Sequence, residues 1–413
     1  MILRVTRASI GTRALSAFAI VVLLYGCASN TSPTALQRGP TGALLEEPPP
    51  LTPEQQSLLD RRTEREQALL AEPLTAESAA EIALLHNPAV ERALETLGMA
   101  GFDRLQLAHI VNPEFNQGRP PSTMETRIER PISVNTMTWV IIPALAAGGT
   151  VEERAARVQA ADEVVALLFR ARRAWVSAVA ARQSQRYYED VATALEVSRE
   201  IMESMREVGN SSELETLRAQ TLYADAIAHL TTLQVAAALE RERLVQTLGL
   251  WGADAESVQL PERLPGLPRT PIGPGGLEAR AVAQRFDVHA GRLEGLSGEA
   301  GVNARADVRT AWLAYRGAYD LSQHTHNALL PLATRRSEEQ LKLYNGMLVG
   351  VLDLVTDATE RINAVNAALI ADRDFWLAEV ELQRAMSGVG ISAVGVQPGL
   401  QGGFRPGATY HVH

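Results

Sequence analysis

The chain has 413 residues, 46% of them hydrophobic but only 5% aromatic. Acidic residues outnumber basic ones 48 to 39, for a net charge of -9. That balance argues against broad nucleic-acid binding, which needs a cationic face. Gly and Pro are at ordinary levels and Cys27 is the one cysteine, which excludes collagen-like, wholly disordered and disulfide-scaffold architectures.

Arg4, Arg7 and Arg13 precede an apolar run over 14–24, about half the ~20 residues a bilayer-spanning helix needs. A basic start and a short apolar core make 1–26 a signal peptide by pattern. It ends in Leu24-Tyr25-Gly26-Cys27, which resembles a bacterial lipobox, with Tyr25 bulky for its slot. The resemblance implies cleavage before Cys27 and acylation there by palmitate-like chains, and two such chains anchor a protein firmly where one does not. Ala28 and Ser29 carry no acidic retention signal, so the same resemblance implies anchoring in outer-membrane lipid through Cys27. Residues 27–53, with Pro48-Pro49-Pro50, form a tether too poor in apolar residues to fold alone.

Helical character begins near Thr52. The pattern predicts N-terminal helices within 54–111: one over 54–70, another over 74–97, with Pro88 bending it or opening a new turn. Five prolines and alternating β-branched stretches mark 112–149, where 124–132 and 135–142 predict a strand pair. Residues 151–208 contain neither Pro nor Gly and predict a helix of roughly 87 Å at ~1.5 Å per residue. Ala174, Ser177, Ala181, Ser184, Tyr188, Val191, Leu195, Ser198, Met202 and Met205 lie on one face in alternating steps of three and four, the spacing of a coiled coil. Their small size predicts close helix approach. Gly209-Asn210 breaks the helix, and Ser211 with Glu213 reads as a fresh N-terminus for a second helix to Leu248.

A Pro/Gly-rich linker covers 249–276. Helix resumes over 277–344, with Gly295, Gly298 and Gly301 as interruptions and Pro331 as a kink. A last helix spans about 349–386, and 387–413 is a Gly-rich tail. The first helical repeat is thus 150–248 and the second 277–386. Ala174-Trp175 recurs 137 residues on as Ala311-Trp312, and Gly209 recurs at Gly346 by the same offset. Both glycines are expected hinge positions of a duplicated hairpin.

These features carry a resemblance to the TolC family of outer-membrane efflux proteins. Residues 74–88, ending His86-Asn87-Pro88, look like the family's opening helix signature. Arg285-Phe286-Asp287-Val288 looks like its Arg-Pro-Asp-Leu segment, with Phe286 in place of proline. The stretch 344–354, with Gly346, Val351, Asp353 and Leu354, resembles the second hairpin tip. The resemblance implies a mainly α fold: long coiled-coil hairpins in a duplicated arrangement, three copies closing into an α-barrel. It implies a homotrimer that receives substrate from a periplasmic adaptor and an inner-membrane pump. One departure is expected: the second half has only 293–306 where a second strand pair belongs, too little for two strands of about 9–11 residues. The β element is therefore reduced, and a periplasmic scaffold or adaptor that does not cross the membrane is the alternative to a conduit.

Little else suggests chemistry. Asp353 and Asp357 are four apart on one helix face. Near a tip of this family they read as pore-constriction carboxylates; a solvated helix face is the other reading. His324 and His326 do not share a face, and His411 and His413 lie in the tail, so no metal site is expected. No phosphate loop, zinc-protease motif or nucleophile elbow occurs. No enzyme activity, catalytic residue or cofactor is expected.

Overall fold

The computed structural model describes residues 52–98, 149–285, 287–288 and 297–388. Cys27 with its signal segment, the expected strands at 124–142, Phe286 and the tail from 389 lie outside the described residues. The chain divides into a unit of 1–58 and one of 59–413. The first contributes only the opening of helix α1 (Pro53–Leu70) to the described residues; every other described helix belongs to the second.

In chain order come α2 (Ala76–His86), α3 (Pro88–Thr96), α4 (Val151–Glu207), α5 (Glu213–Leu248) and α6 (Gly252–Ser257). Beyond the connection lie α7 (Leu277–Gln284), α8 (Ser297–His324), a π turn (Thr325–Leu329), α9 (Leu330–Asn345) and α10 (Val351–Ser387). No strand occurs among the described residues. Each long helix of the first half starts where the sequence offers its free N–H groups a partner. Thr150 accepts from the Glu153 amide while Glu153 reaches back to Thr150. Ser212 and Glu215 do the same for α5, one residue beyond the expected Ser211. Pro88 opens a new helix rather than bending one, because Asn87 caps α3 through the Ala89 amide.

Helices α4 and α5 pair along their length as a hairpin, and α8, the π turn and α9 run as one column against α10. The α4 stripe faces its own hairpin partner: Tyr188, Val191 and Met202 are buried, and the Tyr188 ring lies 4.3 Å from that of His229 on α5. Short helices tuck beneath both columns, α2 and α3 against α4, α7 against α8 and α10. Helix α2 is buried nearly all round, with Ile82, Leu84 and Leu85 fully enclosed against Val164, Leu168 and Leu244. The second half has a smaller apolar core, Leu277, Ala281, Val308 and Ala385. Beside it an aromatic cluster places the Phe375 ring 5.4 Å from Tyr315 and 5.8 Å from Tyr319. The linker is not loose: Val258, Leu260 and Leu264 are buried in the first core.

The duplication is physical. Trp175 donates its indole N–H to the Leu74 carbonyl at 2.7 Å, and Trp312 donates to Ile272 at 2.9 Å. Each tryptophan thereby holds the chain entering its short helix. The short helices end alike, Asn87 at φ -66°, ψ 123° and Arg285 at φ -65°, ψ 133°. Against each of these breaks lies the left-handed glycine that ends the last long helix of its half, Gly249 at φ +79° and Gly388 at φ +78°.

One expected correspondence fails. Gly209 is left-handed at φ +80°, but Gly346 has φ -81°; the left-handed residue of the second tip is Met347, at φ +59°. Asn210 donates to the Met205 carbonyl and Leu348 to that of Leu343, so the true partners are one residue further apart than Trp175 and Trp312. The π turn between Trp312 and Met347 accounts for this, since a π turn accommodates one extra residue in a helix. Pro331, the expected kink position, sits in the first turn of α9 immediately after it.

Candidate functional site

The two tips, 208–212 and 346–350, are where each column turns. The first is closed by the Ser212–Glu215 capping box. Behind it Glu203 accepts from Arg199 at 2.8 Å and from Gln220 of α5 at 2.9 Å, tying the two helices together. Both tips present apolar side chains to solvent: Val208 is 71% and Met347 93% exposed, with Leu214 and Leu348 beside them.

The two carboxylates singled out from sequence sit at the second tip in different states. Asp353 is exposed and accepts from the Gly350 amide at 3.0 Å, capping α10. Asp357 is buried and accepts from Arg336 Nε at 2.6 Å and from the Ser337 hydroxyl. Burial acts to raise the Asp357 carboxyl, but Ser337 and Arg336 outweigh it and hold it below the usual carboxylate range. Arg336 also pairs with Glu360. Asp357 therefore stitches α9 to α10, and the two side chains do not form a matched pair.

Arg285 is the anchor of the second half. Its side chain is fully buried; Nε and Nη2 hold Asp287 at 2.9 and 2.7 Å, while Nη1 reaches Asp307 and the Ala385 carbonyl at 3.1 Å each. One guanidinium thus joins α7, α8 and α10. His326 pairs with Asp372 at 2.9 Å, and His324 is exposed. No group of three or more potential metal ligands exists among the described residues.

Sequence reasoning missed the outer face of α5. Leu214, Leu217, Thr221, Ala224, Ala228, Thr231, Val235 and Ala238 follow alternating steps of three and four, and all are exposed. This is a second coiled-coil seam on a helix whose other face already holds α4. Among the described residues, α5 is the helix long and apolar enough to cross a membrane. Its pairing with α4 and its exposed Arg218 and Asp225 fit a helical neighbour better than lipid.

Solved structures with this arrangement exist. The outer membrane protein VceC of Vibrio cholerae matches over 76% of this chain and 96% of its own, at 15% identity and a TM-score of 0.53. A membrane protein from Pseudomonas aeruginosa matches over 78% and 92%, at 14% identity and a TM-score of 0.55. The CmeC outer membrane channel of Campylobacter jejuni matches over 77% and 87%, at 11% identity and a TM-score of 0.53. The chain has a TolC-like fold. No protein-family model and no curated protein matches the sequence, so the likeness rests on the fold. Within this fold, Trp175, Trp312, Asn87 and Arg285 are the fasteners of the repeat, and the tips lie where the columns turn.

Proposed function

We propose that the protein is the outer-membrane channel component of a tripartite efflux system, a passive conduit for small molecules or ions. The observation that carries this reading is the seam on α5, an extended apolar stripe without a partner in its own chain among the described residues. Three copies closing into an α-barrel would cover it. The exposed Val208, Leu214, Met347 and Leu348 at the tips suit docking by a periplasmic adaptor, which connects to an inner-membrane pump that supplies the energy. Lipidation at Cys27 would anchor the tube, with its body in the periplasm. No catalytic step is assigned to it.

Asp353 and Asp357 stand as the proposed constriction carboxylates, with unequal roles. Asp353 supplies exposed charge that favours cations, and Asp357 keeps the tip closed until Arg336 lets go. Ala228→Glu on the α5 seam places charge in the proposed interface, where burial without a partner is costly. Native mass measurement should give a trimer for wild type and smaller species for the variant; a wild-type monomer ends the reading. Conductance of the reconstituted trimer tests the conduit. A lipidated oligomer that never conducts would favour the scaffold alternative.

A further inference from the structure

A cavity of about 480 Å³ lies in the wall where the approach to α2, the middle of α4, the connection 258–265 and α10 meet. Its frame is fixed by hydrogen bonds. Trp175 holds Leu74, Trp376 donates to the Pro265 carbonyl at 3.0 Å, and Arg182 donates to that of Leu260 at 2.8 Å. Trp175, Trp376, Leu260 and three prolines make much of the lining apolar.

Arg172 stands in this wall, 2% exposed. Its Nη1 donates to Gln383 at 3.0 Å, but Nε and Nη2, both buried, have no hydrogen-bond partner. Leaving charged donors buried and unanswered is costly. Those two nitrogens form one edge of the guanidinium, the edge that holds a carboxylate by two parallel bonds. Elsewhere in this chain the same edge is filled that way: Arg65 grips Glu81 at 2.6 and 2.9 Å, and Arg285 grips Asp287. On Arg172 it is vacant.

We propose that this cavity binds an organic monocarboxylate with an apolar body, its carboxylate held bidentately by Arg172 and its body against Trp175 and Trp376. The volume suits a drug-sized ligand. Arg172 lines the cavity, but both nitrogens are closed to solvent, so the carboxylate is met by a rotation of the Arg172 side chain toward the cavity, the kind of adjustment common on binding. Glu379 of α10 also lines the cavity. Its burial pushes its carboxyl up to about 7, Arg172 opposing and Glu77 adding to the rise, with Gln383 opposing. Below that pH Glu379 is neutral and can donate to the ligand; above it, the two repel. The other charged groups facing the cavity are Glu72, Glu77, Glu262 and Arg263, and Glu262 is answered by Arg186 at 3.0 Å. This site is in the wall of the protomer and does not depend on the conduit reading.

The test is calorimetry on the full-length protein in detergent, with 2-naphthoate and its neutral counterpart 2-naphthamide. One naphthoate per protomer is expected, with naphthamide about tenfold weaker or more, as for loss of a charged hydrogen-bonded pair. Arg172→Gln should lose a similar factor for naphthoate alone, and Arg172→Lys should not restore it. Equal affinity for the two probes, absence of naphthoate binding, or unchanged affinity in Arg172→Gln overturns the site. Should Arg172→Gln fail to assemble, Glu379→Gln decides. Wild-type affinity for naphthoate should fall severalfold from pH 6 to 8 and that of Glu379→Gln should not; a wild type flat across that range overturns the proposal.

Discussion

The two halves use the same fasteners with different strengths. In the first, Asn87 caps α3 and donates to the Thr247 carbonyl at 2.9 Å, while a large aliphatic core supplies most of the cohesion. In the second, the core is small and the equivalent break is held by the buried charge of Arg285. Burial opposes that charge, but Asp287 and Asp307 more than offset it and raise the Arg285 pKa. The difference teaches that a duplicated fold preserves the place where short helices must be pinned, while the chemistry of the pin depends on the apolar surface available around it.

The largest effect should come from removing the charged pin. Arg285→Met is expected to cost about 3 kcal/mol or more, since it strands two carboxylates, whereas Asn87→Ala should cost about 1 kcal/mol, the value of a cap. Thermal midpoints at fixed protein and detergent concentration compare them; equal shifts would break the contrast. Next come the glycines. A Cβ on Gly249 would lie 2.8 Å from the Asn87 Cα, and one on Gly388 would lie 2.9 Å from the Arg285 Cβ and against the Asp287 carboxylate. Both alanine variants carry about 1 kcal/mol of left-handed strain and should lose a further ~1–3 kcal/mol to overpacking, Gly388→Ala the more because it also disturbs the Arg285–Asp287 pair.

The tryptophan pair sharpens the comparison further. Trp175→Phe and Trp312→Phe each leave a carbonyl unanswered, worth about 1–3 kcal/mol when buried. The Trp175 bond is buried and that of Trp312 only partly so, so the first variant should shift the midpoint more. The smallest effect is a pH slope. Glu379 has a raised carboxyl, near 7, so the folded protein binds the proton more tightly than the unfolded chain. Its contribution to stability is greatest at low pH and is lost as pH rises through about 7. Glu379→Gln should flatten the midpoint between pH 6 and 8 relative to wild type; parallel slopes would remove Glu379 as the source.

Much of the fold was legible. Residues 151–207 lack any breaker, and Trp175 with Trp312 marks the repeat because both perform one task. The rest was hidden for identifiable reasons. One extra residue in a π turn leaves no compositional trace, so a constant offset paired Gly209 with Gly346 instead of Met347. Asp357 looked like a partner of Asp353 because helix periodicity is visible along a chain; Arg336, which captures it, comes from the opposing helix. The α5 seam obeyed the same spacing as the α4 stripe, but spacing along one helix does not tell a second seam from a solvated face. Arg172 and Glu379 share a cavity only because α4 and α10 pack together, a contact no local pattern encodes.

The interval between α7 and α8 sets an arithmetic limit on any membrane-spanning end. Eight residues, 289–296, separate Val288 from Ser297, where helix has already begun, and a strand that crosses the outer membrane takes about 9–11. That interval is shorter than one such strand. If the strand pair expected at 124–142 forms, three copies bring six strands, fewer than the roughly eight of the smallest closed outer-membrane barrels. A closed β-barrel end would then need strands from elsewhere in the chain or a ring of at least four subunits.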